Sequence, residues 1–320
     1  MRADTIVWCF VASSFALLGN SATQTREAPT LQVTLLGTGN PRPSLERFGP
    51  STLVEAGATQ LLIDAGRGAA QRLFQLAGVR ALRSLDMILF THLHSDHVVG
   101  FPDLWLTSWV FGRDHPWTVI GPPGTREMCG HLEEAFAFDK KARSQDQGNS
   151  PEGVQLVPRD VDPGVVFDKD GLKVTAFVVD HGRQITPAYG YRVDYRGLSA
   201  AFSGDTRYFE PIVDAARGVD VLVHEVISPE VEARRAGTTS IEHTIAHHTS
   251  PEQAGQIFAR VKPRLAVYSH IVPSPATPED LIPATRRTYD GPLAVGYDLM
   301  TIRIGPTTID VYPRQTVSDK

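Results

Sequence analysis

Short apolar runs separated by turn residues recur along the chain from Leu31 onward. Many are unbroken stretches of Val, Ile and Leu, which is typical of strands that are covered on both faces. The pattern predicts strands at 31–36, 51–55, 60–63, 87–90, 118–120, 174–179, 189–195, 199–202, 221–223 and 265–268.

Amphipathic segments with helix start signals alternate with these runs. Ser250-Pro251-Glu252-Gln253 combines an N-cap, a first-turn proline and a reciprocal Gln, so a helix is predicted to begin after Ser250. Thr277-Pro278-Glu279-Asp280 opens a second helix toward Arg287, and Gly68 to Val79 carries a third amphipathic pattern. Strands that alternate with helices predict an α/β fold.

The composition is that of a globular protein with a large core, because 42% of the 320 residues are hydrophobic and 21% are charged. The net charge of -5 and the sequence pI near 6.1 provide no electrostatic attraction for a polyanion. The polar segment 126–162 contains more acidic than basic residues and is interpreted as an insertion or lid. We therefore expect a small-molecule ester as substrate and consider nucleic acid an unlikely partner.

The first residues have the features of an export signal: Arg2 precedes the apolar stretch from Ile6 to Leu18, and small or polar residues follow. We expect a signal peptide and short leader at 1–25, one domain at 29–320, and a periplasmic or secreted protein. The apolar stretch is shorter than the roughly 20 residues of a spanning helix, so no stable membrane insertion is expected after cleavage. The oligomeric state stays open, a homodimer included.

Side chains that can bind metal ions are concentrated in one segment, directly after the apolar run Met87 to Phe90. It is Thr91-His92-Leu93-His94-Ser95-Asp96-His97. Imidazoles and a carboxylate are the ligand types that zinc prefers. In an extended loop, His92 and His94 point to the same side, and Asp96 and His97 follow as the chain turns. The cluster is therefore predicted to serve two adjacent metal ions.

Three further candidate ligands each follow or end a predicted strand. They are His181 after 174–179, Asp205 after 199–202, and His270 after 265–268. A ligand carried by a buried strand is held with the rigidity that a preorganised site needs. Together with the cluster, these residues complete a set of candidate ligands for a dinuclear centre.

The motif His92-x-His94-x-Asp96-His97, followed by His181, Asp205 and His270, resembles the metal-binding set of the metallo-β-lactamase superfamily. The similarity extends from Leu31 to Gly305, and it implies a four-layer αββα sandwich. It also implies that one ion takes His92, His94 and His181, that a second takes Asp96, His97 and His270, and that Asp205 and a hydroxide bridge them. We expect two zinc ions per chain, although these ligands also suit manganese or iron.

Further segments resemble the ribonuclease Z and arylsulfatase-like branch of that superfamily. They are Leu35 to Pro41, Leu62 to Gly66, His224-Glu225 and His248-Thr249-Ser250. In that branch, the equivalent of His248 donates a proton to the leaving group and the equivalent of Glu225 orients it. The candidate catalytic residues are therefore Asp96, His248 and Glu225.

Other polar residues receive less specific interpretations. Asp64 is interpreted as securing a turn, and Gly37-Thr38-Gly39 as turn geometry beside the site rather than a phosphate loop. His224 and Glu225 are each left open between a contact to the ligands and ordinary loop or strand structure. His115 and His131 are assigned no role.

These observations predict a dinuclear hydrolase that uses a metal-bridging hydroxide on a small ester, a phosphodiester or sulfate ester above others. The alternatives are a lactone or β-lactam hydrolase and a tRNA 3′-processing endonuclease. A non-catalytic binding protein of this fold is the least favoured. The acidic insertion and the predicted leader argue against tRNA processing, because phosphate binding needs basic groups.

Overall fold

The computed structural model describes residues 29–236 and 241–313. The leader predicted at 1–25 lies outside the described residues, so its cleavage and the export of the protein stay predictions. Over the described ranges, no helix combines the length and apolar character that a membrane span requires.

The strands of the described chain form two mixed sheets. The first contains β1 (Leu31–Gly37), β2 (Ser51–Ala56), β3 (Thr59–Ile63), β4 (Met87–Leu89), β5 (Trp117–Gly121), β6 (Leu156–Asp160), β14 (Met300–Ile304) and β15 (Ile309–Tyr312). The second contains β7 (Gly164–Lys169), β8 (Leu172–Val179), β9 (Ala188–Tyr195), β10 (Leu198–Phe202), β11 (Val221–Ile227), β12 (Leu265–Val272) and β13 (Leu293–Val295). Their spatial orders are β15-β14-β1-β2-β3-β4-β5-β6 and β13-β12-β11-β10-β9-β8-β7.

Each strand predicted from the apolar runs is present, whereas β6, β7, β13, β14 and β15 were not predicted. Among these, β6, β7, β13 and β15 lie at the sheet edges. Such strands bury fewer side chains, as in β6, where only Leu156 is buried. Edge strands, which have a neighbouring strand on one side only, therefore lack the continuous apolar run from which a strand is predicted.

The helices cover the outer faces of the two sheets. They are α1 (Ala69–Ser84), α2 (Ser95–Val98), α3 (Phe101–Val110), α4 (Thr125–Ala135), α5 (Ala137–Asp146), α6 (Ile212–Ala215), α7 (Pro229–Ala236), α8 (Ile241–Ile245), α9 (Pro251–Val261) and α10 (Pro278–Thr285). The predicted N-caps Ser250 and Thr277 both form capping boxes at the starts of α9 and α10. The segment 126–162 contains most of α4, all of α5, and β6.

Three apolar cores stack the elements into layers. The inner core lies between the sheets and includes Val33 and Val223. One outer core packs the first sheet against α1 and α3, with Leu73 and Trp105 buried in it. The other packs the second sheet against α9, where Phe258 is buried. The predicted αββα sandwich is thus confirmed.

Glycines allow three loops of the first sheet to pack backbone against backbone: the loop before β2, the loop after β3 and the loop after β4. The amide of Ala65 donates to the carbonyl of His97 at 2.8 Å, and the amide of Gly100 donates to the carbonyl of Ala65 at 2.9 Å. A Cβ at Gly66 would meet the backbone of Gly49 and lie 2.6 Å from the backbone oxygen of Asp96. Because Gly66 has no side chain, the segment 92–97 can pack this closely against the loop after β3.

We predict that Gly66→Ala lowers the free energy of unfolding by about 1–3 kcal/mol, because the added methyl group has only backbone to displace. Gly130→Ala is the matched control, since a Cβ there, inside α4, meets nothing within 4 Å. Urea unfolding of both variants measures the difference. Equal stabilities for the two variants would contradict the packing argument.

Candidate metal centre

The predicted ligands meet at one end of the sandwich, where strands of both sheets terminate. His92 lies after β4, which runs parallel to its neighbours in the first sheet. In the second sheet, β10, β11 and β12 are parallel, and β8 shares their direction because both β8 and β10 pair antiparallel with β9. Their carboxyl ends therefore bring His181, Asp205 and His270 to one edge.

The short helix α2 places the remaining ligands. His94 is its N-cap residue, and Asp96 and His97 lie in its single turn. His94 is exposed, whereas Asp96 and His97 are buried. The cluster is therefore open to solvent on the side of His94.

A β-bulge in the second sheet turns two functional side chains toward this edge. Ser269 and His270 of β12 lie opposite the single residue Glu225 of β11. The backbone of His270 has a φ of 43°, in the left-handed region that residues other than glycine rarely adopt. The bulge re-aims the strand, as bulges near active sites do.

The seven candidate ligands form two triads that share one carboxylate. The ligand atoms of His92, His94 and His181 lie within 4.8 Å of one another, and so do those of Asp96, His97 and His270. Asp205 lies between the triads. Its Oδ2 is 3.3 Å from His97 Nε2, 3.7 Å from His181 Nε2 and 3.2 Å from His270 Nε2.

Hydrogen bonds on the far side of two imidazoles direct their free nitrogens into the cluster. His181 donates from Nδ1 to the carbonyl oxygen of His247 at 3.0 Å. Thr91 donates from Oγ1 to Asp64, so the same oxygen is left to accept from His92 Nδ1 at 3.0 Å. With Nδ1 protonated, Nε2 of each ring presents a lone pair to a metal.

Asp64 has more than the turn role that the sequence suggested. Its Oδ2 lies 2.8 Å from His97 Nδ1, and its Oδ1 accepts from the amide of Thr91 at 2.8 Å. Asp64 has a φ of 58° and follows β3, the parallel neighbour of β4. That adjacency was the available signal, because neighbouring parallel strands end at the same edge.

Metal ions would satisfy the buried polar atoms of the cluster better than hydrogen bonds among its own residues do. Within the described chain, the buried atoms His92 Nε2, His97 Nε2 and Asp205 Oδ1 have no hydrogen-bond partner. Burial lowers the pKa of His181 to about 4, so this ring is neutral and ready to ligate. Burial acts to raise the pKa of Asp205, but His270 and His97 hold it well below the usual value. Burial acts to lower the pKa of His97, but Asp205 and Asp64 raise it well above the usual value, so this ring gives up its proton when it ligates a metal. Imidazoles around an ionised carboxylate are the donor set of a zinc-type centre.

His248 and Glu225 form a dyad beside the two triads. The ring of His248 is stacked on His270 with 5.6 Å between centroids, and its Nδ1 donates to Glu225 Oε2 at 3.2 Å. Glu225 is also anchored by the amide of Thr249, which donates to Oε1 at 2.9 Å. Burial acts to lower the pKa of His248, but the charge and hydrogen bond of Glu225 raise it to about 9. His248 therefore carries a proton at neutral pH in the metal-free protein.

The remaining histidines lie outside the cluster. His224 is buried and donates from Nδ1 to its neighbour's carbonyl oxygen at 2.7 Å, which is a contact within β11. His115 and His131 are exposed and pair only with nearby acidic side chains. Thr91 and Thr206, which sequence reasoning did not single out, support Asp64 and Glu225 through hydrogen bonds.

Comparison with known proteins gives concordant results. Residues 59–271 match the family model described as the beta-lactamase superfamily domain. Ribonuclease Z of Mycolicibacterium gilvum is 36% identical over 284 residues, which cover 86% of this chain and 97% of that protein. Among solved structures, the metallo-beta-lactamase fold protein YhfI from Bacillus subtilis matches with a TM-score of 0.64 and 16% identity, over 86% of this chain and all (100%) of its own. Human tRNase Z, short form, matches with a TM-score of 0.63 and 20% identity, over 85% of this chain and 98% of its own.

These relatives correct one expectation from the sequence. The small-molecule ester partner and the exclusion of nucleic acid are wrong, because the chain matches a ribonuclease across nearly the whole of that relative. The exclusion relied on the net charge and on the acidic segment 126–162. Neither determines the field at the metal centre, since exposed charges more than a Debye length of about 10 Å away are largely screened.

We predict that Asp205→Asn lowers metal content and hydrolytic rate together, because it removes the charge shared by the two triads. Asp194→Asn is the control, since the Asp194 carboxylate pairs with Arg192. Elemental analysis of the dialysed variants measures bound metal per chain. Wild-type metal content in Asp205→Asn would show that this carboxylate is not a ligand.

Proposed function

Because the chain belongs to the metallo-β-lactamase superfamily and is a metal-dependent hydrolase of ester bonds, we propose that it is a dinuclear zinc phosphodiesterase that cleaves RNA, as a tRNA 3′-processing endonuclease. This activity is one of the alternatives that the sequence leaves open. The identity to ribonuclease Z across the length of that relative supports it over the small-ester hypothesis.

The main support for this proposal is that the His248–Glu225 dyad lies beside the candidate metal ligands. The candidate ligand atoms of His181, Asp205 and His248 lie within 4.8 Å of one another. A phosphodiester bound across the two triads has its leaving oxygen within reach of such a donor. The ribose 3′ oxygen is a poor leaving group, so proton donation to it lowers the barrier.

The residues divide the work as follows. The two triads would hold zinc ions, which would supply the Lewis acidity that activates water as a nucleophile and neutralises charge on the phosphoryl oxygens. His248 gives its proton to the departing 3′ oxygen. Glu225 accepts from His248 Nδ1, so the remaining protonated nitrogen, Nε2, is the one that donates. Attack by water with departure of the 3′ oxygen leaves a 3′-hydroxyl on one product and a 5′-phosphate on the other.

We predict that the zinc-loaded protein cleaves a precursor tRNA with a 3′ extension and leaves a 3′-hydroxyl end. A precursor with 2′-deoxyribose at the scissile linkage is the control, and it should be cleaved as well, because water and not the 2′-hydroxyl is the nucleophile. Gel analysis of end-labelled RNA measures both reactions. Intact RNA after incubation with protein that contains its metal would refute the proposed function.

We predict that His248→Ala lowers the rate on a phosphodiester with an alkyl leaving group about 10²-fold or more, with metal content unchanged. The loss should shrink for a nitrophenyl ester, because nitrophenolate departs without a proton. His243→Ala is the control, since His243 is exposed on α8. An equal loss for every leaving group would exclude His248 as the proton donor.

A further inference from the structure

A groove of about 1060 Å³ opens beside the metal centre. Its walls are the loop 42–49, Arg67 and Gly68 at the start of α1, Val99 and Gly100 directly after α2, and Ser274 and Pro275 directly after β12. Two of these walls continue from ligand-bearing elements, because α2 carries His97 and β12 carries His270. The groove therefore lies next to segments that carry the candidate ligands, where it can take a part of the substrate beyond the scissile bond.

The groove presents two exposed arginines. Across the described residues, the guanidinium of Arg42 has no hydrogen-bond or ion-pair partner, and that of Arg67 donates only to the carbonyl oxygen of Pro41 at 3.5 Å. Two carboxylates also line the groove: Glu46 accepts from Ser44, and Asp103 accepts from Gln71 and Thr107. Three arginines, Arg42, Arg47 and Arg67, line it against these two acids, so the net charge of the lining is positive, which suits a phosphate.

Ser274 provides an independent sign of a ligand. It is only 9% exposed, and its Oγ has no hydrogen-bond partner in the part of the chain that the structure describes. Leaving a buried hydroxyl unpaired is unfavourable, so such groups call for a partner. Because Ser274 lines the groove, a ligand there is in position to supply that partner.

The groove also has an apolar surface for a flat ring. Leu45 is 84% exposed and Val99 is 49% exposed, and both face the same space. Together they give the groove an apolar wall that a flat ring can cover. A nucleobase is the group of a nucleic acid that such a surface covers.

The loop 42–49 is held in place before any ligand binds. Asp298, which is buried, accepts from the amides of Thr38 and Phe48 at 2.9 and 2.7 Å and pairs with Arg72 at 2.9 Å. The guanidinium of Arg72 also packs on the ring of Phe48. A groove fixed in this way loses little entropy on binding, which favours affinity.

We infer that this groove binds the nucleotide next to the scissile phosphodiester, with Arg42 and Arg67 on its phosphate, Ser274 as a hydrogen-bond donor, and Leu45 and Val99 against its base. This inference rests on the proposed function, since it names the part of an RNA substrate that the groove takes. Its volume is ample, because pockets of roughly 300–1,000 Å³ hold small ligands.

The test compares two esters with the same leaving group: thymidine 3′-phosphate 5′-(p-nitrophenyl phosphate), the nucleoside ester, which carries a nucleoside and a second phosphate beyond the scissile one, and methyl p-nitrophenyl phosphate, which carries neither. Arg42→Ala and Ser274→Ala should each lower kcat/KM for the nucleoside ester by about five- to tenfold through the loss of a polar contact to the ligand. Both variants should leave the methyl ester within about twofold, because no group fills the groove. Arg159→Ala, at an exposed arginine of β6, is the control and should change neither rate.

Calorimetric binding of thymidine 5′-monophosphate to the zinc-loaded protein adds a measurement that does not depend on turnover. Weaker binding to Arg42→Ala and Ser274→Ala, by a similar factor, is the expected result. Equal losses on both esters, or nucleotide binding that neither variant changes, would overturn the inference. If neither ester is hydrolysed, the proposed phosphodiesterase activity fails, and the binding data still decide whether the groove takes a nucleotide.

Discussion

The negative charge of Asp205, placed in the middle of a buried histidine cluster, is the interaction on which the rest of the site depends. Its Oδ2 lies within 3.7 Å of nitrogens from His97, His181 and His270, which come from both sheets. Without the negative charge of Asp205 and the cations that it attracts, the lone pairs of the imidazoles that converge in the cluster would repel one another. The two halves of the sandwich therefore meet at a cluster of buried donors that suits metal ions.

Holding these groups together requires local backbone geometry that ordinary strands and helices do not provide. Gly66 allows three loops to touch through their backbones, and the bulge opposite Glu225 turns His270 into the cluster. His270 and Asp64 both have positive φ values, of 43° and 58°. Such conformations cost free energy and persist where the surrounding structure enforces them, which is common at functional sites.

The proton donor and the groove both lie next to ligand-bearing segments. The ring of His248 lies against those of His181 and His270, and the groove is lined by residues that follow α2 and β12 along the chain. A nucleic acid has a poor leaving group at the scissile bond and a charged nucleotide next to it. It therefore matches a site with a proton donor and an adjacent groove better than a small neutral ester does. The acidic insertion, which had argued against nucleic acid, contributes no ligand to the two triads.

The sequence by itself determined the α/β fold class, the helix caps at Ser250 and Thr277, and the choice of the seven candidate ligands, and its resemblance to the superfamily implied the αββα layers. These features depend on local patterns: apolar runs, capping boxes, and histidines close together after a buried strand. Only the tertiary structure decided that Asp64 supports His97, that Arg42 and Ser274 line a groove, and that the edge strands exist. Those facts depend on contacts between residues far apart in the chain, and no local pattern of side chains encodes such contacts.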